Sequence, residues 1–186
     1  RTAHAQRQSE LITERESVSE QRRQRLQDLE SLQAELDALL DGRQPEPPLP
    51  HTRAVDSRQD RPGAPLWKLC DFREEVSAAD RAGYEAALES AGILDAWITP
   101  DAELVDARTG DVFLTGTDGL PDGGLNRILA ATSDAVPTEA VQRILGRIGS
   151  EIDAGQTWVA ADGYWANGPL RGDWTKSEAE FLGFDA

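Results

Sequence analysis

From Ala5 to Asp41 neither Gly nor Pro interrupts a run of Gln, Glu, Arg, Leu and Ser. Within it the apolar positions recur at heptad spacing. Leu11, Val18, Leu32 and Leu39 share one seam position with Arg25, and Leu29 and Leu36 share the other with Arg15 and Arg22. The pattern predicts a long helix built as one strand of a coiled coil. About 35 helical residues reach roughly 50 Å, more than a small domain needs for its own packing. A narrow apolar stripe on a polar helix is marginal alone in water, so this one calls for a partner. No later segment of the chain has a matching pattern, which places the mate outside this sequence. The competing reading is an unpartnered, solvated helix, favoured in its first half by the seam arginines.

Gly42, Pro45, Pro47, Pro48 and Pro50 end the helix, and Pro62, Gly63 and Pro65 follow. The division expected is an arm over 1–42, a Pro-rich linker over 43–65 and a globular domain over 66–186. In the domain, Leu66–Phe72 reads as a strand or an extended lead-in. Ser77 followed by Asp80 resembles a capping box, and Tyr84, Ala87, Leu88 and Ala91 fall at helical spacing up to Gly92. Ile93–Thr99 reads as a buried strand, and Leu104–Val105 and Val112–Leu114 as short strands around Thr109–Gly110. Leu125, Ile128 and Leu129 suggest a short helix. Val141, Ile144, Leu145, Ile148 and Ile152 suggest a longer one from Pro137 to Gly155. Thr157–Ala161, the Asp162–Gly163 turn and Tyr164–Ala166 form a hairpin signal, with Trp174 as its extension. Strands mixed with helices and a terminal hairpin give an α+β (mixed α/β) domain preceded by a long coiled-coil helix.

Charge narrows the chemistry. The net charge is −15 over 186 residues. The acidity lies in the globular part: 9 Lys/Arg stand against 12 Asp/Glu up to residue 60, and 10 against 22 beyond it. Such a surface is a poor match for phosphate backbones, and direct DNA binding is not expected unless Arg127, Arg143, Arg147, Arg171 and Lys176 gather on one face. One cysteine, Cys70, precludes an internal disulfide, and two histidines, His4 and His51, leave little room for imidazole chemistry. Cys70 sits in an apolar run with no neighbouring His and reads as a small core residue. The loop Gly116–Gly124 lacks the Lys-Ser/Thr ending of a phosphate loop and carries Asp118 and Asp122, which would repel an anion. Asp95, Asp101, Glu103 and Asp106 read as a solvated acidic rim, with no nucleophile or base beside them. No cofactor and no metal site are expected. No apolar run is long enough for a membrane span. The chain begins at Arg1 and contains no methionine, which reads as an internal piece of a longer frame.

Three stretches carry a family resemblance: RPGAPLWKLCDF (Arg61–Phe72), EAALESAGILDAWITPDAEL (Glu85–Leu104) and GYWANGPLRGDWTKSEAEFLG (Gly163–Gly183). Together they resemble the hinge segment of the MukB-like SMC ATPase of bacterial Wadjet plasmid-defence systems, with LDAWITPD the most specific phrase. The resemblance spans roughly Arg61–Ala186. It implies a cytoplasmic, condensin-like protein whose hinge joins two copies at the far end of antiparallel coiled-coil arms, in a machine that extrudes DNA loops and cleaves plasmids. The partners implied are a second copy, the returning arm, and kleisin-like, accessory and nuclease subunits through the whole complex. The ATPase head motifs are absent from this sequence, so no enzymatic activity is expected of it. A coiled-coil adaptor binding a different protein is the alternative.

The residues themselves do not dictate the dimer surface. Symmetric contacts use one self-complementary patch, and the edge of a terminal strand or hairpin is a natural one. Trp158, Val159, Tyr164 and Trp165 are the candidates, with Leu94, Trp97 and Ile98 as an alternative strand.

Overall fold

The computed structural model describes Arg15, Leu29, Gln33 and residues 18–26, 45–104, 110–116, 118–120 and 123–183. The chain divides into two units, Arg1–Pro45 and Glu46–Ala186.

In the first unit the described residues are helical (α1, residues 18–26, with Arg15, Leu29 and Gln33 also in helix). Ser19 Oγ donates to the Arg15 carbonyl at 2.7 Å, and Arg23 pairs with Glu20 one turn away at 3.0 Å. The seam residues Val18 and Leu29 stand well exposed. Leu11, Leu32, Leu36 and Leu39 lie outside the described residues.

Among its described residues the second unit holds α2 (Ala78–Ser90), α3 (Thr138–Leu145) and three small antiparallel sheets. β1 (Ala64–Pro65) pairs with β3 (Trp97–Ile98), and β2 (Cys70–Phe72) pairs with β4 (Leu129–Ala131). β5 (Thr157–Val159), β6 (Tyr164–Asn167) and β7 (Leu170–Asp173) form the third sheet. Helix α2 begins as its capping residue dictates, with Ser77 Oγ accepting from the Asp80 amide at 3.2 Å. It ends at Ala91–Gly92, where Gly92 takes φ +71°. One core runs through the unit: Leu66, Leu69, Leu88, Leu94, Ile98 and Leu125 are fully buried, as are Leu129, Val136, Val141, Ile144 and Leu145. Each such aliphatic side chain is worth about 1.5–3 kcal/mol, so these short strands are held mainly by packing.

Several expectations are corrected. Leu129 lies in a strand, preceded by a single 3-10 turn at Gly124–Arg127, because its backbone pairs with Phe72. The stripe ending at Ile152 is not one helix. α3 stops at Gly146, where a side chain would collide with the backbone of Leu120. Ile148 is buried from the following loop, and Ile152 is exposed. Of Ile93–Thr99 only Trp97–Ile98 is strand, since the Leu88 carbonyl accepts from both Ile93 and Leu94 and holds them in a turn. Val112–Leu114 contributes a parallel bridge to Trp97, Leu104 lies in no strand, and Val105 and Thr109 fall outside the described residues. The hairpin signal is right, and the sheet gains β7 through a second turn at Gly168–Pro169; Trp174 follows its end. The connector expected through Pro65 is part of the folded unit from Glu46 onward.

Candidate functional site

Three features of the second unit could serve a joint between chain segments or between copies.

The first is the seat of the incoming chain. Arg53, Arg58 and Arg61, drawn from the polar stretch before Pro62, converge on Asp95 and Asp111. Arg58 grips Asp111 with two parallel bonds, Nε to Oδ2 at 2.7 Å and Nη2 to Oδ1 at 2.7 Å, and reaches Asp95 Oδ1 at 2.9 Å and its carbonyl at 2.7 Å. Arg61 adds a bond to Asp111 Oδ2 at 2.8 Å, and Arg53 bonds Asp95. The guanidinium of Arg58 also stacks over Trp97 at 4.8 Å, while the Trp97 indole N–H donates to the Pro62 carbonyl at 3.0 Å. Asp111 is nearly sealed from solvent. Burial alone would raise its pKa, but the hydrogen bonds and charge of Arg58 outweigh this and hold it below the ordinary carboxylate value. Beside the cluster, a cavity of about 340 Å³ lies between Pro47, Pro48 and Pro50 on one wall and Glu89, Leu94 and Val112 on the other.

The second is the anchor of the last described segment. Glu85, fully buried on α2, accepts from the backbone amides of Glu180, Phe181 and Leu182 at 2.7, 2.9 and 2.8 Å, and from Lys176 Nζ at 2.8 Å. Lys176 also reaches Glu89 at 3.0 Å and Glu180 at 3.1 Å. Desolvation would lower the lysine pKa, yet the surrounding carboxylates outweigh it and raise it. Glu89 therefore touches the final segment through Lys176 and lines the same cavity as Pro47 and Pro48.

The third is an open sheet edge. β6 pairs on both sides, and β5 has β6 on one side and the Gly149 bridge on the other, whereas among the described residues β7 has β6 alone. Around it Tyr164 (51%), Leu170 (61%) and Trp174 (55%) keep half or more of their surface.

Against these features the sequence-derived candidates separate. Leu94, Trp97, Ile98, Trp158 and Val159 are buried within this chain and have no surface to offer a partner. The reason is positional: Trp97 and Ile98 pair with Pro65 and Ala64, and Val159 faces the main core. Trp158 packs with Ala160 and Ala166 under the Arg171 guanidinium. Tyr164 is exposed, and Trp165 is half-buried with its ring over Gly172. Asp95 is no solvated rim residue, being tied to Arg53 and Arg58; Asp106 is outside the described residues. Cys70 is buried, and burial pushes its thiol pKa well up. Lys176 is neutralised among carboxylates and Arg147 pairs with Asp118, which takes two members from any basic face. Among the described residues no cluster of His, Cys, Asp or Glu could hold a metal ion, and no helix is long and apolar enough to cross a membrane.

Glu85, Asp111 and the three arginines were not singled out by sequence reasoning. Only the place of Glu85 among the apolar residues of α2, between Tyr84 and Ala86, could have flagged it.

No protein-family model, no curated protein and no solved structure matches the chain.

Proposed function

We propose that this chain is a non-catalytic joint: the homodimerisation hinge of an SMC/condensin-like coiled-coil ATPase, working in DNA loop extrusion and defence against plasmid DNA. The observation that carries the reading is the convergence on Glu89. The chain comes into the folded unit along Pro47–Arg53, which lines a cavity that Glu89 of α2 also lines, and the last described segment, Lys176–Leu182, bonds to Glu85 and Glu89 of the same helix. A hinge between antiparallel arms needs its incoming and outgoing segments side by side and firmly seated. The arginine–aspartate cluster and the Glu85 anchor seat them with charge-assisted bonds that are rigid and directional. In this reading a second copy and the returning arm are the direct partners, and kleisin-like, accessory and nuclease subunits are met through the parent complex in the cytoplasm. The chain itself binds no cofactor and hydrolyses no nucleotide.

Sedimentation equilibrium of the chain tests the reading. A dimer that persists at micromolar concentration and survives removal of the residues before Gly42 is expected. The adaptor alternative, in which the helical segment recruits a different protein, predicts a monomeric folded unit and association that disappears with that deletion.

A further inference from the structure

The β7 edge is self-complementary in a single register, and we infer that it is the surface on which two copies of this chain pair, antiparallel, about a two-fold axis through Gly172. The inference rests on the dimer reading above and specifies its contact.

Backbone geometry restricts the choices. In the β6–β7 ladder Asn167 faces Leu170, Trp165 faces Gly172, and the ladder continues with the Trp174 amide donating to the Gly163 carbonyl at 3.2 Å. Hydrogen-bonded and non-bonded pairs alternate along an antiparallel ladder. Leu170, Gly172 and Trp174 therefore spend their amide and carbonyl groups on the β6 side. The other side of the sheet agrees in phase: the Ala160 amide donates to the Tyr164 carbonyl at 2.9 Å, so Tyr164 faces β5 and Trp165 faces β7. The main-chain groups of Arg171 and Asp173 consequently point out of the open edge.

A second β7 strand can bond there only if its own outward residues, Arg171 and Asp173, are opposite. Three symmetric registers satisfy this. One sets Arg171 against Arg171, one sets Asp173 against Asp173, and both put like charges face to face. The third, centred on Gly172, sets Arg171 of each copy against Asp173 of the other. It makes four backbone hydrogen bonds and two ion pairs, and brings Leu170 opposite Trp174 twice. Those two side chains are the apolar groups left exposed on the edge. The centre is a non-bonded pair, where the strands come closest, at about 4.5 Å between Cα atoms. It is occupied by a glycine, whose Cβ position is already taken by the Trp165 ring at 2.7 Å. The exposed Arg171 has a competing partner in Asp153 at 3.8 Å, a weak surface contact that the pairing would replace.

Charge reversal tests the register. Arg171→Asp sets Asp against Asp in the paired edge, and Asp173→Arg sets Arg against Arg. Each variant alone should sediment as a monomer, with circular dichroism unchanged, under conditions where the wild-type chain is dimeric. Mixing the two restores both ion pairs and should return a one-to-one heterodimer; the double swap Arg171→Asp/Asp173→Arg should self-associate again. A wild-type dimer whose single variants stay dimeric overturns the edge pairing while leaving the dimer reading intact. Single variants that dissociate without rescue on mixing overturn the register. A monomeric wild-type chain overturns both the pairing and the reading beneath it.

Discussion

Arg58 holds Asp111 in a bidentate grip across 53 residues of sequence, and Asp111 is almost wholly withdrawn from water. That one pair turns a Pro-rich stretch with the composition of a linker into a structural part of the domain. Removing the carboxylate leaves the Arg58 and Arg61 guanidiniums half-buried and without their main partner, a change that costs about 3–5 kcal/mol when a buried pair is broken. Asp111→Ala should lower the urea midpoint accordingly. It should also open the bonds after Arg53 and Arg58 to trypsin, read by mass spectrometry of the fragments.

The same pair sets an acid limit. The folded pKa of Asp111 is lowered from 3.8, so the unfolded chain binds the proton first and the stabilisation is complete above that value. It drains away as pH falls through the folded pKa, below about 4. Comparing unfolding free energies of wild type and Asp111→Asn from pH 7 to pH 2 should show the acid slope flattened in the variant.

Lys176, bonded to Glu85, gives the opposite sign. The lysine pKa is raised in the fold, so its contribution is whole below the unfolded value of about 10.4 and is lost as pH climbs through the folded one. Lys176→Met should remove part of the alkaline limb of the stability profile. Glu85→Gln turns an amide NH2 toward backbone donors and forfeits charged hydrogen bonds worth about 1.5–3 kcal/mol each. Hydrogen exchange at the Glu180, Phe181 and Leu182 amides should accelerate in that variant before exchange in β2 or α3 does.

Gly83 lies inside α2, where replacing glycine by alanine ordinarily gains about 1 kcal/mol of helix propensity. Here a Cβ would run into the backbone carbonyl of Ala161, which cannot swing aside as a side-chain tip would. Gly83→Ala is expected to lower the melting temperature, the reverse of the propensity argument, because the helix must back away from the β5–β6 turn.

Cys70 donates to the Leu66 carbonyl at 3.3 Å from a fully enclosed position, with burial and the neighbouring Asp71 charge both disfavouring the thiolate. A thiol-specific chromogenic reagent should find no reactive sulfur in the native chain and one equivalent after denaturation.

What could be read from residue order follows local rules. Ser77 caps α2 and Gly92 closes it because a hydroxyl and a left-handed glycine act on their own neighbours. The Asp162–Gly163 turn folds β5 onto β6 for the same reason. What escaped depends on partners far along the chain. Ile148 and Ile152 fit a helical period, yet the Leu120 backbone crossing Gly146 ends α3 before they are reached. Trp97 and Trp158 looked available as contact aromatics because nothing local announces the Pro65 strand or the Ala166 pairing that encloses them.

The sequence by itself determined a heptad-patterned helical segment, an acidic mixed α/β domain with one inert thiol, and the capped and turned elements whose signals lie within a few residues of one another. Tertiary structure alone decided that Arg53, Arg58 and Arg61 are seated on Asp95 and Asp111, that Glu85 gathers the amides of Glu180–Leu182, and that β7 has an open side among the described residues. Those outcomes turn on desolvation. A charge is stable inside only where its counter-charge and donors arrive together, and in this chain they come from segments about 40 to 100 residues apart, beyond the reach of any local pattern.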